Sequence, residues 1–326
     1  LHDSAGDEMK RTIVTSAAAV ALCASVVWGQ SFPTKPIRIV AGLPGAGSDL
    51  VARLIASGIT EGLGQPMIVE NRPGGIIPRE IVQKAPPDGY TLLITANGLW
   101  LEPFMAGSRV PYDAVRDFAP VSMLTNAPNI LIVHASVAAN SVKELIALAQ
   151  ARPGVLNCST AATASSSHLA FELFKAMTGV NIVRIPYKGN LPAVTDLLAG
   201  QVQLSFATPA AVGPFAKSGK LKILAVTSAQ PSALFPGLPT VAASGLPGYE
   251  SGTNTGLFAP AKTPAAVIRR LNQEVVRVLN MPEVKERILA TGVDVVAGSP
   301  AQLAAAMKAE MTGLGKVIKD AGIRVE

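Results

Sequence analysis

The chain has 326 residues, of which 49% are hydrophobic and 15% charged, and its formal net charge is +6. This length and apolar content exclude a disordered chain and are typical of an α/β protein with two lobes. Its basic residues are scattered, with no run of Lys/Arg and no interleaved aromatic patch, which argues against nucleic acid as a partner.

Residues 1–29 contain the pattern of a secretory signal peptide. Met9 precedes two basic residues and an apolar run over 13–27, which is too short for a stable membrane span. We expect Met9 to be the start of the protein and cleavage to follow Gly29. The alternative, a buried N-terminal helix, is disfavoured by the basic start and by the polar segment that follows. The sequence therefore predicts an exported protein.

Cysteine and histidine are too sparse for several kinds of chemistry. Only Cys158 remains after signal removal, so the sequence predicts no intrachain disulfide. The remaining histidines, His134 and His168, stand far apart, without a clustered carboxylate or a metal-ligand motif. We therefore predict neither a metal nor a cofactor.

Short apolar and β-branched runs alternate with segments of helical apolar spacing, which predicts an α/β fold with mostly parallel sheets. The predicted strands are 37–41, 67–70, 90–95, 121–124, 129–134, 155–158, 182–186, 204–207, 221–227 and 256–259. The predicted helices are 48–63, 141–151, 166–179, 192–199, 264–280, 282–291 and 300–321.

The loop at 43–49, between the first strand and the first helix, is a candidate anion site. Gly45 and Gly47 allow a sharp turn, and Ser48 or Asp49 is a natural N-cap. The first turn of a helix favours an anion. The loop lacks the lysine of a phosphate loop and the third glycine of a dinucleotide fingerprint. Two interpretations stay open: a turn that needs glycine for its geometry, and a site for a carboxylate-sized anion.

Small-residue segments also follow other predicted strands, at 71–75, 160–168, 187–190 and 207–209. The hydroxyl-rich segment 160–168 can cap its helix and hydrogen-bond an oxyanion. A Ser/His hydrolase that uses Ser165–Ser167 with His168 is an alternative, although neighbours in sequence are not a triad and no acid partner is indicated. For Lys188, a solvated charge is favoured over a carboxylate partner.

Many segments, in order along the chain, resemble the receptors of tripartite tricarboxylate transporters, the Bug or TctC-like family. They are Phe-Pro-Thr-Lys-Pro-Ile-Arg at 32–38, Gly-Gln-Pro at 64–66, Val-Glu-Asn-Arg-Pro-Gly at 69–74, Pro-Asp-Gly-Tyr-Thr-Leu-Leu at 87–93, Val-Pro-Tyr-Asp at 110–113, Asp-Phe-Ala-Pro at 117–120, Ser-Val-Lys-Glu-Leu at 141–145, Ser-His-Leu-Ala at 167–170, Pro-Tyr-Lys-Gly at 186–189, Ala-Val-Thr-Ser at 225–228, Leu-Pro-Thr-Val at 238–241, Gly-Tyr-Glu at 248–250 and Gly-Lys-Val-Ile-Lys-Asp-Ala-Gly at 315–322.

The resemblance implies a periplasmic, non-enzymatic solute-binding receptor with a two-lobed α/β fold of the type II periplasmic binding protein kind, and a ligand cleft between its lobes. Lobe 1 would comprise 31–130 plus 255–326, and lobe 2 would comprise 131–254. Closure of the lobes would capture a small carboxylate and deliver it to a membrane permease. We expect a monomer. A sensory variant that signals to a membrane partner is the alternative within this class.

Carried over by position, the resemblance implies ligand contacts at Pro44, Gly45, Ala46, Gly47, Ser48, Gly74, Gly75, Asn97, Thr163, Ala164, Ser165, Ser166, Ser167, Tyr187, Gly189 and Thr208. The chain departs from the family where Ala46, Ala161 and Ala164 replace common glycines. The segment 75–80 is also shorter than its family counterpart. For Arg79 within it, a solvated face is favoured over a charge supplied to the site.

Overall fold

The computed structural model describes residues 32–45, 47–73, 75–106 and 109–324. Its strands are β1 (Ile37–Ala41), β2 (Met67–Asn71), β3 (Thr91–Ala96), β4 (Phe118–Pro128), β5 (Ile130–His134), β6 (Asn157–Thr160), β7 (Val183–Pro186), β8 (Leu204–Ala207), β9 (Leu221–Val226), β10 (Gly252–Pro260) and β11 (Asp294–Val295). Its α-helices are α1 (Gly47–Leu63), α2 (Ile77–Gln83), α3 (Gly98–Ala106), α4 (Val142–Ala151), α5 (Ser166–Thr178), α6 (Asn190–Leu198), α7 (Pro209–Val212), α8 (Ala265–Leu279), α9 (Pro282–Leu289) and α10 (Pro300–Asp320). The predicted signal region at 1–29 lies outside the described residues.

The strands form two sheets, and helices pack on both of them, which confirms the predicted α/β class. One sheet has the strand order β11-β4-β10-β3-β1-β2, and the other has the order β7-β6-β8-β5-β9. The apolar core includes Trp100 and Phe258 in the first lobe and Phe171 and Phe206 in the second, all fully buried. Helix α10 packs on β4 and also on α5, so it contacts elements of both lobes.

The expectation of mostly parallel sheets is wrong. Strands β1, β2 and β3 pair in parallel, as do β6, β7 and β8, but β4, β5, β9, β10 and β11 pair antiparallel with their neighbours. The reason is the way in which the chain passes between the lobes. The chain passes from the first lobe to the second between β4 and β5, and it returns between β9 and β10. We call these two connections the passages.

Strand register determines which sheet edges face each other. Pro128, at the end of β4, lies opposite Gly252 at the start of β10, while Ile130, at the start of β5, lies opposite Ala207 at the end of β8. Thr255 of β10 pairs with Ala96 at the carboxyl end of β3. Both passages therefore connect the carboxyl edge of one sheet to the carboxyl edge of the other.

Sequence patterns located most elements but missed several. Helix α3 was not predicted because it contains Pro103, which normally interrupts a helix, and because it lacks a polar face. Strands β4 and β10 extend well beyond the predicted 121–124 and 256–259, since polar residues such as Asn126 and Asn254 pair within their ladder. The two-residue strand β11 gives no sequence signal.

Candidate functional site

The first loop at the cleft joins β1 to α1, and Asp49 fixes its shape. The prediction that Ser48 or Asp49 caps the helix is wrong, because the helix begins at Gly47 and both residues lie inside it. The Asp49 carboxylate instead accepts the backbone N–H of Gly45 at 2.8 Å and the side-chain amide of Asn71 at 2.9 Å. Gly45 has φ +76°, a left-handed conformation that favours glycine.

Burial acts to raise the pKa of Asp49, but hydrogen bonds from the Gly45 N–H, Asn71 and Arg53 outweigh it and hold that pKa below its usual range. The Asp49 side chain is 6% exposed and forms an ion pair with Arg53. Its negative charge is therefore turned into the protein and away from the cleft. Pro44, Gly45 and Gly47 stay exposed and Ser48 is half-buried, while Ala46 is outside the described residues.

The second loop of this lobe follows β2 and leads into α2. Gly75 is exposed, and Gly74 is outside the described residues. The expectation of a solvated Arg79 is wrong: Arg79 is 6% exposed, forms an ion pair with Glu102 and donates to the hydroxyl of Tyr112. Because Glu102 neutralises it, Arg79 supplies no free positive charge to the cleft.

Asn97, at the end of β3, belongs to a buried polar cluster, which we define as Asn97, Trp100, Asn126, Asn254 and Glu310. Asn97 donates to Gly252 O at 2.9 Å and to Glu310 Oε2 at 3.1 Å. Trp100 Nε1 and Asn254 Nδ2 also donate to the Glu310 carboxylate, and Asn126 Nδ2 donates to Asn254 Oδ1. The Asn97 amide is thus committed to internal contacts in this structure.

Burial raises the pKa of Glu310 to about 7, against the three N–H donors that favour its charged form, and Glu250 adds to the rise. Sequence reasoning missed this cluster. The available signal was Asn126, an amide within the mainly apolar run that becomes β4.

The hydroxyl loop, defined as residues 163–167, lies at the carboxyl end of β6 in the second lobe. Ser165 is the N-cap of α5 and accepts the His168 N–H at 3.3 Å, while Ser167 is buried and accepts the Ala161 N–H at 2.9 Å. Ala164 adopts φ +64°, a left-handed conformation that is costly for alanine and that glycine adopts freely. Thr163 is exposed.

His168 is a structural residue. Its Nδ1 accepts the Ala164 N–H at 3.0 Å, and its Nε2 lies 3.7 Å from Glu172 Oε1. In the part of the chain that the structure describes, no serine hydroxyl is hydrogen-bonded to either ring nitrogen. The pair that the hydrolase alternative requires, His168 with a hydroxyl of Ser165–Ser167, is therefore not formed.

Ser166 connects the hydroxyl loop to the passage between the lobes. Its hydroxyl lies 3.4 Å from Asn129 Oδ1, and Asn129 is the single residue between β4 and β5. Asn129 also pairs with the return passage, because its N–H donates to Thr227 Oγ1 at 2.7 Å. Asn129 and Thr227, which the sequence analysis did not select, thus lie between the facing sheet edges.

The remaining predicted positions lie at the same edge of the second sheet. Tyr187 donates its hydroxyl to Asp196 Oδ2 at 2.7 Å, Gly189 precedes α6 without a side-chain cap, and Thr208 precedes α7. Lys188 is exposed, in agreement with the solvated charge favoured from the sequence. The predicted positions that the structure describes therefore fall on facing edges, and their role as ligand contacts stays a prediction.

The described part of the chain contains no helix long and apolar enough to cross a membrane. It also contains no cluster of three or more His, Cys, Asp or Glu side chains arranged to hold a metal ion.

Two α/β lobes that are joined by passages between facing sheet edges define the architecture of two-lobed solute-binding proteins. The chain belongs to the TctC family, the tripartite tricarboxylate transporter family receptors, and matches it over residues 51–323. This confirms the resemblance found in the sequence and the non-enzymatic, solute-binding class that it implied.

Two relatives are similar along nearly the whole chain. A UPF0065 protein in the tcbD-tcbE intergenic region of Pseudomonas sp. (strain P51) is 36% identical over 315 residues, covering 94% of each chain. Protein BugT of Bordetella pertussis is 34% identical over 317 residues, covering 94% of this chain and 96% of BugT.

Solved structures give the same two-lobed fold. A TctC solute binding protein from Polaromonas, with no ligand, has a TM-score of 0.82 at 26% identity and covers 89% of this chain and 99% of its own. R. palustris Rpa4515 with adipate has a TM-score of 0.64 at 36% identity, covering 90% and 99%. MatC from Rhodopseudomonas palustris with bound malate has a TM-score of 0.61 at 29% identity, covering 88% and 100%.

Proposed function

We propose that this protein is an extracytoplasmic receptor that captures a small carboxylate between its lobes and delivers it to a membrane permease. One observation carries the proposal. The N-termini of α1 and α5 lie at the facing carboxyl edges of the two sheets, each preceded by a loop of small or hydroxyl-bearing residues. Free N–H groups and the positive dipole end make such termini suitable for an anion.

The position of the site agrees with a general property of α/β sheets, whose ligands bind outside the carboxyl ends of the strands. The backbone and hydroxyl groups of 44–48 in lobe 1 and of 163–167 in lobe 2 would hold the carboxylate, and ordered water would complete its hydrogen bonds. Adipate and malate in two structural neighbours support a carboxylate as the ligand of this chain too.

Lobe closure is the proposed capture step. The TM-score is higher to the Polaromonas protein with no ligand, at 26% identity, than to Rpa4515 with adipate, at 36% identity. This ranking opposes the sequence identities, as expected if the present lobe arrangement corresponds to a ligand-free, open form. A ligand that contacts both lobes would shift the population toward the closed form.

Export, permease contact and a monomeric state belong to the same proposal. Family membership supports a periplasmic location, and the pattern at 1–29 would direct export. The lobe boundaries would follow the two sheets, at about 130 and 255.

The test is calorimetric titration of residues 30–326 with small carboxylates, using amino acids, sugars and nucleotides as controls, together with thermal unfolding. We expect one class of carboxylate to bind stoichiometrically and to raise Tm. Ser48→Trp and Ser166→Trp should abolish this binding by filling the site. The matched control is Ser218→Trp, an exposed serine before β9 at the opposite sheet edge, which should bind normally. Absence of binding by every carboxylate to a folded, ligand-free protein would overturn the proposal.

A further inference from the structure

Three large apolar side chains are exposed at the facing sheet edges. Leu43 is 60% exposed in the loop after β1, Ile77 is 51% exposed at the start of α2, and Leu191 is 57% exposed at the start of α6. We define these residues as the apolar rim. Leu43 and Ile77 follow two strands of the first sheet, and Leu191 follows β7 of the second.

The rim therefore lies on both sides of the space between the lobes. Strands β1 and β2 run in parallel with β3, and β7 runs in parallel with β6 and β8, so their carboxyl ends share the edges that the two passages connect. Exposed apolar side chains at the edges of a cleft offer surface whose burial by an apolar ligand is favourable.

Charge in the same loops is sparse. The described residues of 43–49, 72–77, 161–168 and 187–191 contain two lysines or arginines: Lys188, which is exposed, and Arg72, which is exposed and forms an ion pair with Glu70. The one carboxylate among them, Asp49, is turned inward and paired with Arg53. A helix N-terminus adds roughly half a positive charge. These groups can balance one or two carboxylates but not three.

From this combination we infer that the ligand has an apolar body, an aliphatic or aromatic acid with one or two carboxyl groups, and is not a hydroxylated tricarboxylate. The inference rests on the proposed function and specifies its substrate class. The carboxylate would occupy the helix N-termini, and closure would bring Leu43, Ile77 and Leu191 onto the methylene chain or ring. Each buried methylene then raises affinity about fourfold.

The experiment compares adipate, benzoate, succinate and citrate by calorimetry on residues 30–326. We expect adipate or benzoate to bind on the order of tenfold more tightly than succinate, and citrate to bind weakest. Leu43→Ser and Leu191→Ser should each reduce this preference for the apolar acid about tenfold. Both side chains are exposed, so the variants should fold, and an unchanged Tm verifies this.

The matched control is Val155→Ser. Val155 is 59% exposed and precedes β6 at the amino edge of its sheet, away from the rim, so the preference should be unchanged. Citrate binding as tightly as adipate and benzoate, or an unchanged preference in both rim variants, would overturn the inference while leaving the receptor function intact. Failure of every carboxylate to bind would overturn both. A dimer in sedimentation that Leu191→Ser dissociates would also overturn the inference, because a second copy would then cover the rim.

Discussion

At the scale of single residues, Asp49 shows how a buried carboxylate can fix the shape of a loop at the edge of the cleft. It accepts hydrogen bonds from the Gly45 N–H, from Asn71 and from Arg53, and so links the loop after β1 to the end of β2. The loop backbone stays exposed, as the proposed anion site requires, while the Asp49 carboxylate is buried.

Asp49→Ala is expected to lower the free energy of unfolding by about 1–3 kcal/mol, because the Gly45 N–H and the Asn71 amide lose a buried acceptor. Urea unfolding measures this loss. Asp320→Ala is the control: Asp320 forms an exposed pair with Lys316 at i,i+4, and its loss should change stability by less than about 0.5 kcal/mol. Equal stability of the two variants would contradict the assigned role of Asp49.

Glu310 gives the protein a pH-dependent term. Its pKa is about 7 in the folded chain because of burial, against 4.5 for an unperturbed carboxyl, so the folded state binds a proton that the unfolded state releases between these values. The resulting stabilisation is fully present below pH 4.5 and is lost as pH rises through 7.

Glu310→Gln should remove this term. Between pH 8 and pH 5 the wild type should gain stability relative to the variant, on the order of 3 kcal/mol, and urea unfolding across that range measures the difference. Asp117→Asn should show the opposite pH dependence of stability. The pKa of Asp117 is held below its usual range, because hydrogen bonds, first of all from the Asp113 N–H, outweigh the effect of burial, which would raise it. Its stabilising contribution is lost as pH falls below 4. A flat difference for Glu310→Gln would refute the role of its burial.

At the scale of elements, the two serine N-caps of the second lobe separate stability from binding. Ser165 caps α5 at the cleft edge, and Ser141 caps α4, accepting the Glu144 N–H at 3.2 Å. Helix α4 follows β5, whose carboxyl end lies at the opposite edge of the sheet. The caps are chemically alike but differ in position.

Ser165→Ala and Ser141→Ala should each cost about 1 kcal/mol of unfolding free energy through loss of a cap. Only Ser165→Ala should also weaken carboxylate binding, because the N-terminus of α5 belongs to the proposed site. Calorimetry with the best-bound acid and thermal unfolding of both variants test this. Equal carboxylate affinities in the two variants would exclude the hydroxyl loop from the site.

At the scale of the whole molecule, the two passages between the lobes are held together at Thr227. Its hydroxyl accepts the Asn129 N–H at 2.7 Å and donates to Asn129 O at 3.0 Å, and its own N–H donates to the same oxygen at 2.9 Å. These three hydrogen bonds therefore tie the two passages together side by side, and we expect the passages to stay paired during the proposed lobe closure.

Thr227→Val should lower the free energy of unfolding by about 1–3 kcal/mol, since the fully buried Asn129 N–H loses its acceptor. In the control Thr312→Val, an exposed helical hydroxyl that donates to Lys308 O is removed, and stability should hardly change. Small-angle scattering should show that the ligand decreases the radius of gyration of the wild type. The decrease should be smaller in Thr227→Val. An unchanged decrease would show that closure does not depend on this link.

Local sequence determined the class of the protein and most of its elements. β-branched runs and helical apolar spacing gave strands such as Ile37–Ala41 and Leu204–Ala207 with their observed bounds, because short-range periodicity reflects which side chains face the core. The capping serines Ser141 and Ser165 act over three residues, a distance that a sequence pattern contains. The segments that resemble the TctC family, and that follow one another in order along the chain, indicated the solute-binding class.

Only the tertiary structure decided what depends on contacts distant along the chain. Asn97 and Glu310 are 213 residues apart and Asn129 and Thr227 are 98 apart, yet each pair is hydrogen-bonded. The antiparallel strands likewise arise from passages that bring β4 beside β10. Periodicity reports which face of an element is buried but not which element covers it. The polar cluster, the inward turn of Asp49 and the facing sheet edges therefore follow from the fold as a whole.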